Sequence, residues 1–221
     1  MFNEELEAFA KSLGVNLFGV CLREKVDDKI FGISEDIYKD LPYIISIGVR
    51  LSSRILDEIY DRPTRLYFFH YQRTNILLDT ISLRISNWIQ ERGYSAIPIP
   101  ASQIIDWDNQ RGHISHKHVA VEAGLGWIGR NNLLVTEKYG AQVRLASIIT
   151  DIPLEPGKRM DKDCGSCRAC ISVCPCGAIK ERPEDFDHLA CFSYIKEVCK
   201  KVNLGRQYIC GICMRVCRGN V

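Results

Sequence analysis

The sequence predicts an α+β fold for residues 1–157 and a small cysteine-rich module for residues 158–221. In the first part, apolar residues recur at helical spacing in some segments and form short buried runs typical of strands in others. The second part holds ten of the eleven cysteines. The two parts are separated by a linker with Pro153, Pro156 and Gly157, which marks a break between structured segments.

Three helices are predicted in the first domain. Residues 4–13 carry an apolar stripe and are followed by a glycine that can end the helix. Apolar side chains also recur at helical spacing between Pro63, which suits a first turn, and Gly93. A short helix is expected over residues 115–123, with its first serine, Ser115, as the N-cap.

Short apolar runs predict the strands, over residues 15–22, 43–49, 94–99, 133–135 and 143–150. We expect the last two to pair as a hairpin across residues 137–140. Helices combined with an antiparallel hairpin argue against a purely parallel, doubly wound sheet.

The spacing of the cysteines predicts two iron–sulfur clusters. Residues 164–175 read C-x2-C-x2-C-x3-C-P, a run typical of bacterial ferredoxins, and a second partial run ends at residue 217. In this pattern three cysteines of a run bind one cluster, and the fourth binds the other. The predicted ligands are Cys164, Cys167, Cys170 and Cys217 for cluster I and Cys174, Cys191, Cys210 and Cys213 for cluster II. Residues 158–221 are therefore predicted to form a ferredoxin-like module with two 4Fe–4S clusters.

Zinc is the alternative metal, because C-x2-C pairs also serve zinc sites, but three cysteines at x2 spacing before C-P are a poor zinc pattern. Three cysteines remain outside the ligand sets. Cys21 ends an apolar strand and is expected to be a small buried hydrophobe. Cys176 could compete as a ligand but is expected to pack near the cluster, and Cys199 receives no role.

Charge and cysteine content limit the possible partners and the cellular setting of the chain. Residues 158–221 carry a formal charge of +5 and the rest of the chain −3. Two oxidised clusters, each with four thiolates, would add about −2 apiece, so the basic excess is not a nucleic-acid patch. Eleven cysteines without a secretory signal indicate metal binding in a reducing, cytoplasmic setting. No apolar run is long enough to suggest a membrane partner.

Residues 123–134, Ala-Gly-Leu-Gly-Trp-Ile-Gly-Arg-Asn-Asn-Leu-Leu, resemble the signature of the epoxyqueuosine reductase family. The likeness continues through residues 149–154 and the cysteine runs, and it is strongest over 115–217. The resemblance implies an N-terminal domain similar to nitroreductases and cobalamin-processing proteins. Family members bind cobalamin there, reduce it through two 4Fe–4S clusters and act on an epoxide in a tRNA nucleoside. Reductive dehalogenases share this pairing of corrinoid and clusters.

The chain departs from that family in two places. Family members carry an aspartate proton donor 14 residues before the first glycine of the Gly-Leu-Gly motif, where this chain has Gln110, with Asp106 and Asp108 nearby. The chain also ends at Val221, so the family's helical-repeat domain, which helps to hold tRNA, is expected to be absent. We therefore expect a different substrate, a small molecule or a protein, and we do not expect tRNA as a partner. Ferredoxin or flavodoxin is the expected electron donor.

The candidate catalytic residues are His116, His118 and Asp108. A histidine near neutral pH could supply protons in place of the missing aspartate. A mononuclear metal site that includes His113 is the alternative for this histidine cluster. A polar rim at the mouth of the site is a third interpretation.

The candidate cofactor-binding residues are Gly124, Gly126, Trp127, Gly129, Asn131 and Asn132. The glycines have the G-x-G-x-x-G spacing of a dinucleotide site, but a helix precedes them and a strand follows, the reverse of that context. They permit close backbone approach, either to packing partners or to a flat cofactor. The tryptophan could cover a corrin face or pack in the core.

The sequence thus predicts an iron–sulfur enzyme that passes electrons to a cofactor, with cobalamin as the leading candidate. Two alternatives stay open. The chain could be a non-enzymatic electron-transfer partner, or an activator that reduces the corrinoid of another protein.

Overall fold

The structure, a computed structural model, describes residues 2–205 and 208–219. Its α-helices are α1 (Phe2–Ser12), α2 (Glu35–Tyr38), α3 (Ser53–Asp57), α4 (Arg65–Gln90), α5 (His116–Glu122), α6 (Ala169–Val173), α7 (His188–Lys201) and α8 (Ile212–Val216). Its strands are β1 (Leu17–Leu22), β2 (Tyr43–Arg50), β3 (Ala96–Ile99), β4 (Trp127–Ile128), β5 (Leu134–Val135) and β6 (Val143–Thr150). The mixed helix and sheet content and the three predicted helices are confirmed. No helix within the described ranges is both long and apolar enough to span a bilayer.

The main sheet has four strands in the order β1-β2-β6-β3. Strand β1 runs antiparallel to β2, and β3 runs antiparallel to β6. The two central strands, β2 and β6, consist almost entirely of buried residues. Such continuous burial is expected of strands that are covered on both faces, and it explains why their sequences are apolar runs rather than alternating patterns.

The predicted hairpin between residues 133–135 and 143–150 is wrong. Strand β5 pairs instead with β4 in a separate two-stranded sheet, whereas β6 belongs to the main sheet. The loop between β4 and β5 is closed by hydrogen bonds from Gly129 N–H to Leu133 O (2.9 Å) and from Asn132 N–H to Gly129 O (2.8 Å). Asn132 adopts a φ of 58°, a left-handed conformation that asparagine tolerates. A strand of only two residues carries too little periodicity to be recognised in sequence.

The chain divides into two compact units that alternate along the sequence. The first comprises Met1–Val49, Thr74–Gly126 and Arg144–Asp161, and the second comprises Arg50–Arg73, Trp127–Val143 and Lys162–Val221. The unit that holds the cysteine module thus includes two segments that the sequence analysis placed in the first domain. The division at residues 157 and 158 stays a prediction.

Each unit has its own buried core. In the first unit, α4 contributes Leu78, Ile81, Ile85 and Ile89, each at most 1% exposed and spaced by three or four residues. This spacing places the four side chains on one face of the helix. The predicted burial of Cys21, in the same unit, is confirmed.

In the second unit, buried residues between Leu51 and Tyr67 pack with others between Val198 and Met214. Cys199, which received no role from the sequence, belongs to this core. Its Sγ donates to Ile209 O at 3.1 Å, so this thiol is a buried structural group.

Candidate functional site

The thiols assigned to cluster I interact electrostatically within the second unit. Burial, together with the charges of Cys164, Cys170 and Cys167, raises the pKa of the Cys217 thiol to about 11. Burial also raises the pKa of Cys170, with contributions from Cys164 and Cys167. The backbone of the loop is compact, since Cys167 N–H donates to Cys164 O at 3.0 Å.

A second group contains the thiols assigned to cluster II. Burial, together with the neighbouring charges of Cys176, Cys210 and Cys174, raises the pKa of Cys191 to about 12. The pKa of Cys213 is also raised, by burial and by Cys210 and Cys191 among others. The two groups are not fully separate, because the charge of Cys170 also acts on Cys213, and Cys176 is an additional member of the second group. The assignment of ligands to clusters stays a prediction.

Arg130 binds the backbone of the loop that carries Cys164 and Cys167. Its guanidinium donates three hydrogen bonds to backbone carbonyls, to Glu181 O at 2.8 Å, Cys167 O at 2.9 Å and Gly165 O at 2.9 Å. The Arg130 side chain is only 13% exposed. Sequence reasoning missed this role, because an arginine that binds backbone carbonyls leaves no pattern in the residues it holds.

The β4–β5 hairpin brings Gly129, one of the predicted cofactor residues, next to Cys164. A Cβ atom at Gly129 would lie 2.4 Å from Val135 Cγ2 and 3.6 Å from Cys164 Sγ, so only glycine fits there. Two buried donors in this hairpin, Trp127 Nε1 and Asn131 Nδ2, have no hydrogen-bond partner in the part of the chain that the structure describes. Burying such a group unpaired costs about 1–3 kcal/mol, which a bound group with acceptor atoms would recover.

Gly124, unlike Gly129, is explained by chain packing within the first unit. It adopts a φ of 76°, and a Cβ there would lie 2.5 Å from Lys158 O. The preceding helix α5 and the following strand β4 confirm the reversed context that excludes a dinucleotide fingerprint. Gly124 and Gly126 belong to the first unit, whereas Trp127, Gly129, Asn131 and Asn132 belong to the second. Their role in cofactor binding stays a prediction.

His116 is held by both of its ring nitrogens. Nε2 lies 3.0 Å from Pro100 O, and Nδ1 lies 2.8 Å from the hydroxyl of the fully buried Ser147. Because a carbonyl can only accept, Nε2–H donates to Pro100 and Nδ1 accepts from the serine in the neutral ring. Burial lowers the pKa of His116 to about 4. This geometry favours a positioning role over proton donation.

The neighbouring His118 interacts with the start of its own helix. Its Nδ1 lies 2.6 Å from Ser115 Oγ, and burial lowers its pKa to about 4. Ser115 occupies the N-cap position as predicted, but its side chain makes no cap bond to the backbone. Between the two histidines, burial lowers the pKa of Lys117 to about 8. Among residues 116–118, Lys117 therefore has the pKa nearest neutral pH. The sequence alone did not suggest this lysine.

The remaining acidic and histidine candidates have other partners. Asp108 is exposed, and its N–H donates to Asp106 Oδ1 at 3.1 Å. The Asp106 carboxylate also accepts from the backbone and side chain of Asn109, which lowers its pKa. His113 Nδ1 lies 3.1 Å from Phe31 O. The structure therefore does not gather these candidates into one constellation.

No three His, Cys, Asp or Glu side chains within residues 2–205 and 208–219 are arranged to hold a single metal ion. Two surface cavities also lie away from the predicted cofactor residues. One, of about 550 Å³, is lined by residues of the first unit that include Phe2, Tyr43 and Leu154. The other, of about 370 Å³, is lined by residues of the second that include Arg50 and Lys138.

Comparison with protein-family models gives no match. Comparison with curated proteins gives epoxyqueuosine reductases. The chain is 38% identical over 120 residues to the enzyme of Listeria monocytogenes, which covers 49% of this chain and 30% of that protein. It is 34% identical over 115 residues to the enzyme of Escherichia coli, which covers 48% of this chain and 30% of that protein. The chain thus spans under a third of the length of the curated relatives it matches.

Solved structures share the fold over nearly the whole chain. Epoxyqueuosine reductase from Bacillus subtilis superposes with a TM-score of 0.70 at 22% identity, covering 99% of this chain and 65% of that one. A catabolic reductive dehalogenase superposes with a TM-score of 0.75 at 19% identity, covering 96% of this chain and 31% of that one.

The expectation that tRNA is not a partner is wrong. The curated relatives are epoxyqueuosine reductases, and one structural neighbour is an epoxyqueuosine reductase with an epoxyqueuosine-modified tRNA stem loop. That neighbour superposes with a TM-score of 0.69 at 23% identity and covers 99% of this chain and 65% of that one. The expectation relied on where the chain ends, and the last residue does not tell which surfaces of a fold contact RNA.

Proposed function

Because the chain belongs to the epoxyqueuosine reductase-like family, we propose that it is a cobalamin-dependent iron–sulfur reductase. Electrons enter through two 4Fe–4S clusters in the cysteine-rich unit and serve the reduction of an electrophilic substrate. The strongest support is the fold that the chain shares with epoxyqueuosine reductases and a reductive dehalogenase, together with the electrostatic coupling among the thiols of its cysteine-rich unit.

The chain's own residues fit the clusters. Thiolates are the usual ligands of 4Fe–4S clusters, and the two predicted sets of four cysteines would supply them. Arg130 holds the carbonyls of the loop in place and adds a positive charge beside a cluster of net negative charge. The clusters supply one-electron transfer when bound.

The hairpin residues fit a corrinoid. Trp127 Nε1 and Asn131 Nδ2 are buried donors without acceptors among the residues described. The amide groups at the edge of a corrin carry carbonyl acceptors that would pair with them. When bound, a reduced corrinoid supplies a strong nucleophile.

The first candidate substrate is an epoxide in a tRNA nucleoside, in keeping with the names of the relatives. Reducing an epoxide to an alkene takes two electrons and two protons and releases water. We assign proton delivery to Lys117, because burial lowers its pKa to about 8 and a donor works best near the operating pH. His118 and His116 are weaker candidates, because both have a pKa lowered to about 4. The bonds of His116 to Ser147 and Pro100 instead give it the role of orienting α5. Exposed Asp108 is the least favoured.

The test is anaerobic reconstitution of the full chain with iron, sulfide and cobalamin, followed by turnover with a chemical reductant. We expect about eight iron atoms per chain, four for each cluster, a corrinoid absorption band after gel filtration, and conversion of an epoxyqueuosine-containing tRNA stem loop. Iron incorporation without uptake of cobalamin would refute the cofactor assignment. Cobalamin uptake without turnover of the stem loop would refute the substrate assignment.

A second candidate is a non-enzymatic electron-transfer role. One observation favours it: Asp106, one of the two carboxylates near the family's proton donor position, accepts three hydrogen bonds that keep it ionised. This role predicts reversible reduction of the clusters and no turnover of any small molecule. An activator of another corrinoid protein would in addition reduce the corrinoid of that protein when the two are mixed.

A further inference from the structure

A fifth thiol lies within the second cysteine group. The Sγ atoms of Cys174 and Cys176 are 3.7 Å apart. The charge of Cys176 also acts on Cys191 and Cys210, so this thiol is a neighbour of three of the four predicted ligands. The proposed function uses four thiols of this group and leaves Cys176 without a role.

The local backbone explains why the two thiols are so close. Gly177 N–H donates to Cys174 O at 3.2 Å, which closes a turn with Pro175 in its second position. Proline fixes its own φ, and Gly177 takes a φ of 62° that few other residues adopt. Side chains two residues apart on an extended strand would be about 6–7 Å apart. The turn therefore places the two thiols on the same side of the chain, 3.7 Å apart.

The separation has a chemical meaning. Two thiolates bound to one tetrahedral metal at about 2.3 Å lie about 3.8 Å from each other, close to the distance observed here. An iron of a 4Fe–4S cluster takes only one protein thiolate, because three bridging sulfides fill its other positions. Two thiols at this separation can reach the same iron, but only one can bind it at a time.

We propose that Cys176 is an alternate ligand for the cluster II iron assigned to Cys174, so that either thiolate completes the site. The exchange breaks one Fe–S bond and forms another. The departing thiolate takes up the proton that the incoming thiol releases, and no electron is transferred. This inference rests on the proposed two-cluster function, and the experiment separates the two.

The experiment compares four full-length proteins after anaerobic reconstitution: wild type, Cys174→Ala, Cys176→Ala and the double variant. The matched control is Cys167→Ala, which removes a cluster I ligand. Iron and sulfide are counted, and the reduced proteins are examined by EPR. Alkylation followed by mass spectrometry reports which cysteines are protected in the loaded and metal-free proteins.

We expect wild type and both single variants to hold about eight iron atoms, and the double variant and the control to fall to about half. In loaded Cys174→Ala, Cys176 becomes protected from alkylation, and the EPR signal of cluster II persists in shifted form. The inference is overturned if Cys174→Ala loses as much iron as the double variant, or if Cys176 stays reactive in it. The alkylation comparison needs only the single variant, so it decides the matter even if the double variant does not fold. Failure of the wild type to take up two clusters would instead refute the proposed function.

Discussion

Replacing Arg130 with alanine tests whether this side chain positions the loop of cluster I. The substitution removes three hydrogen bonds from a charged donor, of which the one to Cys167 O is partly shielded from water and those to Gly165 O and Glu181 O are exposed. A hydrogen bond to a charged group contributes about 1.5–3 kcal/mol when shielded, and water replaces much of the exposed ones. We therefore expect the loop to open more easily by about 2 kcal/mol, which raises the open population roughly 30-fold.

The assay is the rate at which a chelator removes iron from the reconstituted protein under anaerobic conditions. Clusters are lost through local opening, so the faster of two phases should accelerate by up to about 30-fold in Arg130→Ala. Arg168→Ala is the matched control, because Arg168 also binds Glu181, through an exposed ion pair at 2.8 Å. Exposed pairs contribute about 0–1 kcal/mol, so this control should change the rate less than about fivefold. Equal rates for the two variants would refute a positioning role for Arg130.

Three further predictions concern the hairpin and α5. Gly129→Ala should lower the free energy of unfolding by about 1–3 kcal/mol in urea titrations, since its Cβ would lie 2.4 Å from Val135 Cγ2; an unchanged midpoint would contradict the close approach. His116 has a pKa lowered to about 4, so the unfolded chain binds its proton more readily. The stability that this residue contributes is thus full above pH 6.5 and is lost as the pH falls toward 4. His116→Gln should therefore make the free energy of unfolding depend less on pH between 6.5 and 4. An equally steep dependence in the variant would show that another group causes it. Lys117→Met should lower reductase activity and remove its further decline above about pH 8, because the proton donor is lost, whereas Lys117→Arg should move that decline to higher pH. A pH profile that neither variant alters would exclude the lysine as donor.

Local patterns made the helices predictable. The buried face of α4 repeats every three or four residues, so its extent could be read between Pro63 and Gly93 without any knowledge of its neighbours. The interactions that define this helix face lie within a short stretch of chain. The cysteine spacing predicts two clusters, and this assignment stays a prediction because its proposed partners come from distant parts of the sequence.

Tertiary contacts decided what the sequence did not reveal. The pairing of β5 with β4 depends on a five-residue loop closed by Gly129 and Asn132, whereas the turn propensity at residues 137–140 pointed to the wrong partner. His116 was expected to be a proton donor. Its burial and its bond to Ser147, which argue against that role, arise from residues far away in sequence and cannot be read from its neighbours. The same holds for Arg130, whose partners are carbonyls and therefore have no residue-type signature.

The alternation of the two units has a consequence for how the protein is made. The core of the cysteine-bearing unit joins Leu51, Leu56, Ile59 and Tyr67 to residues from Val198 onward, which are synthesised later. Chains emerge from the ribosome N-terminus first, so this core cannot close before the residues from Val198 onward have emerged. Under the proposed function, we expect insertion of the clusters to follow that step. A fragment starting at residue 158 would lack those four core residues and would not mature as a free-standing electron carrier.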